Sequence, residues 1–92
     1  MKVNLYSTFR EHAGAAHIEL ELEPGATAAW AINELLKSYP VLERLWLDKS
    51  GNLLGHVHIC INQVDVQSLI NGLDTLLKPQ DTLDIFPPVT GG

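Results

Sequence analysis

Hydrophobic and polar residues alternate in several separate stretches of the chain, and one longer stretch repeats at helical spacing. In KVNLYSTF, Lys2 to Phe9, Val3 and Leu5 face one way while Lys2, Asn4 and Tyr6 face the other. In HIELELE, His17 to Glu23, Ile18, Leu20 and Leu22 alternate with His17, Glu19, Glu21 and Glu23. A period of two is the mark of a half-buried strand. Both stretches are therefore predicted strands, and the turn-prone EHAG between them predicts a hairpin. Pro24-Gly25 ends the second strand, Thr27 is a good N-cap, and Ala28, Ile32, Leu35 and Tyr39 recur at helical spacing until Pro40 stops the run. This predicts one amphipathic helix of about three turns. Patterning is weak from Val41 to Gly55, where DKSGN marks a turn. It returns in HVHICIN, which turns Val57, Ile59 and Ile61 inward, and in DTLDIF, which sets Leu83 and Ile85 on one face and Thr82, Asp84 and Phe86 on the other.

The predicted order is strand, strand, helix, strand and a last strand. One helix laid over one face of a mixed sheet buries the helix stripe and one sheet face together, an α+β arrangement in two layers. The first and last strands are both strongly patterned, so they are expected to pair in parallel at the sheet centre, as in the β-grasp arrangement. The expected core is Val3, Leu5, Ile18, Leu20, Leu22, Ile32, Leu35, Val57, Ile59, Ile61, Leu83 and Ile85. Trp30 falls with Glu34 and Lys37 on the polar side of the helix, where it either covers the loop containing Trp46 or faces a partner.

Composition narrows the picture. Ninety-two residues make one small domain able to close a core without metals or disulfides, and 46% apolar with 18% charged residues is a folding composition. A net charge of −5, from eleven acids and six bases, argues against a phosphate-backbone binder and favours a partner protein with a basic patch. The single cysteine, Cys60, rules out an internal disulfide; without an apolar run long enough to span a bilayer, a cytoplasmic protein that touches neither membrane nor nucleic acid is expected. Residues 1–86 form the expected domain, and 87–92 an expected flexible tail.

FREHAG after the first strand, the Gly25/Thr27 helix entry, VHICINQVDV and TLLKPQDTLDIFPPVTGG together resemble the MoaD/ThiS family of ubiquitin-like sulfur carriers over nearly the whole chain. The closing FPPVTGG is most similar to the family branch that forms the small subunit of molybdopterin synthase. LERLWLDKSGNL and NGLDTLL look more like longer members, including carriers of cysteine biosynthesis. Gln80 departs from the pattern, standing where members often have glycine before the aspartate of the last turn.

The resemblance implies a carboxylate chemistry for Gly92. An α-carboxylate is anionic and inert near neutral pH and must be activated before it carries anything. The expected partner is an adenylyltransferase of the ubiquitin-activating (MoeB/ThiF) type that spends ATP, followed by sulfur transfer to give a thiocarboxylate. The chain itself is expected to bind no cofactor and to catalyse nothing alone. The thiocarboxylate would then serve a large synthase subunit (MoaE type) or another sulfur-accepting enzyme. Gly91 and Gly92 have no Cβ to obstruct a narrow activating channel. Pro87 and Pro88 fix φ and lower the entropy lost on docking. Phe86, Val89 and Thr90 complete the expected partner-binding set, with Phe86 either a docking anchor or tucked under a loop. Six residues from Pro87 to Gly92 reach at most about 20 Å.

Other clusters yield simpler readings. His56, His58 and Cys60 share a strand face with metal-ligand identity, yet one strand supplies poor tetrahedral angles and no fourth ligand is near in sequence, so no metal is assigned. A persulfide on Cys60 is disfavoured by its strand-interior position. Glu19, Glu21 and Glu23 form a solvated strand face or steer a basic partner, and Arg10 and Glu11 are read as structural, with a pairing to tail backbone in view. Besides molybdopterin synthesis, the alternatives are sulfur delivery to cysteine or thiamine synthesis, a modifier joined to lysines through Gly92, and a β-grasp module with an inert tail.

Overall fold

The structure is a computed structural model and describes residues 1–88. Five strands form one mixed sheet: β1 (Lys2–Leu5), β2 (His17–Glu19), β3 (His58–Ile61), β4 (Val64–Asp65) and β5 (Thr82–Phe86), in the order β2-β1-β5-β3-β4. β1 and β5 pair in parallel at the centre, Val3 opposite Leu83 and Leu5 opposite Ile85, as the sequence pattern predicts. β2 lies antiparallel outside β1, and β3 antiparallel outside β5. Helix α2 (Ala28–Ser38) covers one face, which completes the β-grasp arrangement. Its first turn is capped by Thr27, whose hydroxyl accepts a bond from the Trp30 amide at 3.1 Å. Among the described residues no helix is long and apolar enough to cross a membrane.

The core lies between α2 and the inner sheet face. Ala28, Ala31, Ile32 and Leu35 from the helix are buried with Val3, Leu5, Ile59, Ile61, Leu83 and Ile85 from the strands. Ile18, Leu20 and Leu22, expected in this core, are only half-buried and pack at its margin, because β2 is an edge strand that ends at Glu19 instead of running to Glu23.

Two segments differ from the sequence pattern. The expected hairpin turn is a helix, α1 (Ser7–Ala13), so β1 stops at Leu5 and does not reach Phe9. Phe9 on the inner side of α1 drops into the core. Gly14, at φ 73°, closes the helix in the left-handed conformation that glycine adopts without strain. The second difference is Val41–Gly55, where a 3₁₀ turn (Pro40–Leu42) leads into α3 (Glu43–Trp46). Leu42 and Trp46 are fully buried, and Trp46 meets Phe9 edge to face with ring centroids 5.7 Å apart. Trp46 is thus core, and Trp30 lies half-buried, packed against the same cluster, while Lys37 and Glu34 pair on that helix at 3.8 Å.

β3 and β4 are joined by Asn62 and Gln63, both at positive φ (50° and 71°), the backbone of a two-residue turn whose twist matches the strands. The Asn62 side chain donates to Asp81 at 2.8 Å and accepts from the Thr82 amide at 3.0 Å, tying that turn to the start of β5. The turn before β5 closes by the Asp81 amide donating to the Lys78 carbonyl at 2.9 Å. Gln80 is not among the residues at positive φ, so the missing glycine costs this turn nothing.

Because Trp46 joins α1 and α3 to the core, Trp46→Ala is expected to destabilise the protein by about 3–5 kcal/mol in denaturant unfolding. A change below about 1 kcal/mol would show that the 41–55 segment packs independently of the sheet.

Candidate functional site

The outer face of the sheet, opposite α2, is where the last strand delivers the chain to residues 87–92. Strand alternation and register sort its side chains into two rows. Asn4, Asp84 and Cys60 are direct neighbours across β1, β5 and β3, with Asp65 of β4 beyond Cys60. One step further along β5, Phe86 lies opposite His58. The Phe86 ring stacks on His58, centroids 5.3 Å apart and planes 22° from parallel, and meets Tyr6 edge to face at 6.0 Å.

A hydrogen-bond chain links Asn4 and Asp84 of the first row to Tyr6 and His17. Asp84 Oδ1 accepts from Asn4 Nδ2 at 2.8 Å and from the Tyr6 hydroxyl at 3.0 Å. With its NH₂ group committed to Asp84, Asn4 turns its oxygen to His17 Nδ1 at 2.8 Å, so His17 is the donor in that pair. His58 Nδ1 lies 3.8 Å from Asp65. An open groove of about 800 Å³ runs over this face, lined by Tyr6, Ser7, Thr8, Cys60, Gln63, Asp84, Phe86, Pro87 and Pro88. Ser7, at φ 52°, and Gln63, at φ 71°, hold strained backbone on its rim.

The groove is electrostatically negative. Burial pushes the Cys60 thiol above the ordinary cysteine value, and the Asp65 and Asp84 carboxylates push it further. Burial also raises the Tyr6 phenol, followed by its hydrogen bond to Asp84, the Asp84 charge and Cys60. Cys60 is therefore kept as thiol, a weak nucleophile, and is poorly suited to carry a persulfide.

Of the residues assigned from sequence, Phe86, Pro87 and Pro88 come together, all half-buried on the groove. Val89, Thr90, Gly91 and Gly92, and with them most of the expected tail 87–92, lie outside the described residues. Phe86 is not under a loop: it sits in the ring row between Tyr6 and His58. His56 is exposed ahead of β3, and among the described residues no three His, Cys, Asp or Glu side chains are grouped to hold a metal ion. Arg10 and Glu11 stand exposed on α1, Glu19 is exposed at the end of β2, and Glu21 and Glu23 are exposed in the segment after it. Tyr6, Asn4 and Asp84 carry no motif in the sequence that marks them as site residues. The outward parity of both strands was readable, but only the in-register parallel pairing of β1 and β5 brings them to one point.

A β-grasp sheet whose central strand leads into Pro-Pro and, in sequence, Gly-Gly defines a ubiquitin-like carrier or modifier. The chain belongs to the ThiS family, whose model matches residues 3–92. It is 29% identical over 92 residues to small archaeal modifier protein 3 of Haloferax volcanii, covering 100% of this chain and 98% of the relative. The crystal structure of small archaeal modifier protein 1 from the same organism superimposes with a TM-score of 0.87 at 26% identity, over 99% of this chain and 97% of that one. A structure described as putative molybdopterin converting factor, subunit 1, from Pyrococcus furiosus matches at a TM-score of 0.75 and 29% identity, over 96% and 95% of the two chains.

The raised Cys60 value sets a pH test. A group whose folded pKa lies above its unfolded one stabilises the fold below the unfolded value, and that contribution is lost as pH rises through the folded value. Alkylation of Cys60 in the folded protein is therefore expected to reach half its maximal rate at higher pH than alkylation of the urea-unfolded chain, and Asp65→Asn is expected to lower that midpoint. Coincident midpoints for folded and unfolded protein would contradict the negative groove.

Proposed function

We propose that this protein is a sulfur carrier whose Gly92 carboxylate is adenylated and then converted to a thiocarboxylate that supplies sulfur for molybdopterin synthesis. The observation that carries this reading is FPPVTGG continuing from β5, the strand at the centre of the sheet. In the reaction, a Gly92 carboxylate oxygen attacks the α-phosphorus of ATP in an activating enzyme and pyrophosphate leaves. A sulfur nucleophile such as an enzyme persulfide then attacks the acyl carbon and AMP leaves. Reductive cleavage of the resulting acyl disulfide by a thiol gives the thiocarboxylate. This chain contributes the carboxylate and its delivery. Gly91 and Gly92 carry no Cβ into a channel that must exclude water from the acyl-adenylate. Pro87 and Pro88 leave the sheet with restricted φ, which reduces the entropy lost when the tail enters that channel.

Two enzymes are the partners in this reading: an adenylyltransferase of the ubiquitin-activating type and a large synthase subunit that uses the sulfur. The half-buried Phe86 beside Pro87 and Pro88 supports a docking role for that corner of the groove, where a ring already backed by His58 is held rigid before binding. The likeness to a putative molybdopterin converting factor subunit supports the molybdopterin branch. The modifier names of the Haloferax relatives favour a second reading, in which Gly92 is joined to target lysines after the same activation.

Activation is tested by ATP–pyrophosphate exchange with the host's ubiquitin-activating-type enzyme. Exchange is expected to require this protein, to disappear when Gly92 is deleted, and to fall about tenfold or more at limiting concentration with Phe86→Ala. Exchange that persists without Gly92 would overturn the reading. Formation of molybdopterin from its precursor on adding the large synthase subunit separates the two branches, since a dedicated modifier would yield conjugates on lysine and no product.

A further inference from the structure

Asp84 is held more tightly than a surface carboxylate requires. Its Oδ1 receives both Asn4 and Tyr6, and Asn4 is oriented in turn by His17, so the carboxylate is fixed before any ligand arrives. Its Oδ2 accepts no hydrogen bond from any described residue. Next to it Tyr6 is 40% exposed as a residue, and its side chain lines the groove. The charged and titratable neighbours are mostly acidic or neutral: Asp65 and Cys60 on the β3 side, and His58, which is occupied by Phe86 and Asp65. Lys2 shares the outward parity of β1 but lies two residues from Asn4, opposite Glu19.

A preset carboxylate with an unused oxygen, beside an exposed aromatic ring, is a site for a planar cation. A guanidinium pairs with carboxylate oxygens through directed N–H bonds and stacks on an aromatic face with little loss of hydration. An ammonium is a strongly hydrated point charge and gains less from the ring. We propose that the groove receives an arginine side chain from a protein partner, with Asp84 as its counter-ion and the Tyr6 ring as its stacking surface. Charge complementarity supports this occupant: the chain carries a net −5, and Asp84 and Asp65 both act on the groove. Because Pro87 and Pro88 line the same groove, the arginine would hold the partner beside the start of the tail. The site does not depend on any chemistry at Gly92.

The test uses the full-length labelled protein and three small probes, N-acetyl-arginine methylamide, its neutral isostere N-acetyl-citrulline methylamide, and N-acetyl-lysine methylamide, followed by NMR chemical shifts at low ionic strength. The arginine probe is expected to move the Tyr6, Asp84 and Phe86 resonances with millimolar affinity, and to bind about tenfold more tightly than the other two. Asp84→Asn, which keeps an oxygen for Asn4 and Tyr6 but removes the charge, is expected to abolish that preference. Added salt is expected to weaken the arginine probe alone or with lysine, never citrulline. Equal affinity for arginine and citrulline, equal affinity for arginine and lysine, shifts centred elsewhere, or no shifts at saturating solubility would each overturn the proposal. Should Asp84→Asn fail to fold, the comparison of probes on the unmodified protein still decides.

Discussion

The in-register parallel pairing of β1 and β5 is the constraint on which the rest of the structure depends. It joins the first residues of the domain to its last strand, so nearly the whole chain lies in the connection between the paired strands. Closing that connection carries an entropic cost, which grows only slowly with its length and which a well-packed connection offsets. Here the connection is α2 with its buried stripe, together with α3, and its packing against Val3, Leu5, Leu83 and Ile85 is what makes the central pair stable. The same register places Asn4 beside Asp84 on the opposite face, and Tyr6 next to Phe86. One pairing therefore builds the core on one side and the groove on the other.

Where alternation was strict, sequence alone located the structure. β1, β3 and β5 present the predicted inward residues, and α2 begins at its predicted Thr27 cap. Those elements have one face in the core and one in solvent, so the pattern and the environment match. The failures fall where burial does not follow a simple period. α1 buries Phe9 from one short helix, too few residues for a 3.6-residue repeat to declare itself, and its EHAG end does carry the turn signal that was read. The Pro40–Leu42 turn and α3 bury Leu42 and Trp46 with charged Glu43 and Arg44 between them, which masks the stripe. β2 looked longer than it is because edge residues past Glu19 keep the alternation without a sheet partner to extend the ladder.

The candidate site divides along similar lines. Phe86, Pro87 and Pro88 were readable because they adjoin the Gly-Gly sequence, a feature of local composition. Tyr6, Asn4 and Asp84 were not, since Asp84 lies about eighty residues from the other two in sequence and meets them only through the parallel register. His58 and Cys60 were singled out for their ligand identities, whereas their surroundings give them other parts: a ring backing Phe86, and a thiol held protonated by burial and two carboxylates. The family assignment over residues 3–92 fits the fold, while the branch within the family rests on chemistry at Gly92.

That chemistry is decided most directly by the intact mass of untagged protein isolated from its native host, measured before and after treatment with a thiol-reactive reagent. The account predicts a species in which one oxygen is replaced by sulfur, mapped to Gly92, consumed by the reagent and absent when Gly92 is deleted. A mass matching the unmodified sequence, even after incubation with ATP, a sulfur donor and the host's activating enzyme, would contradict it.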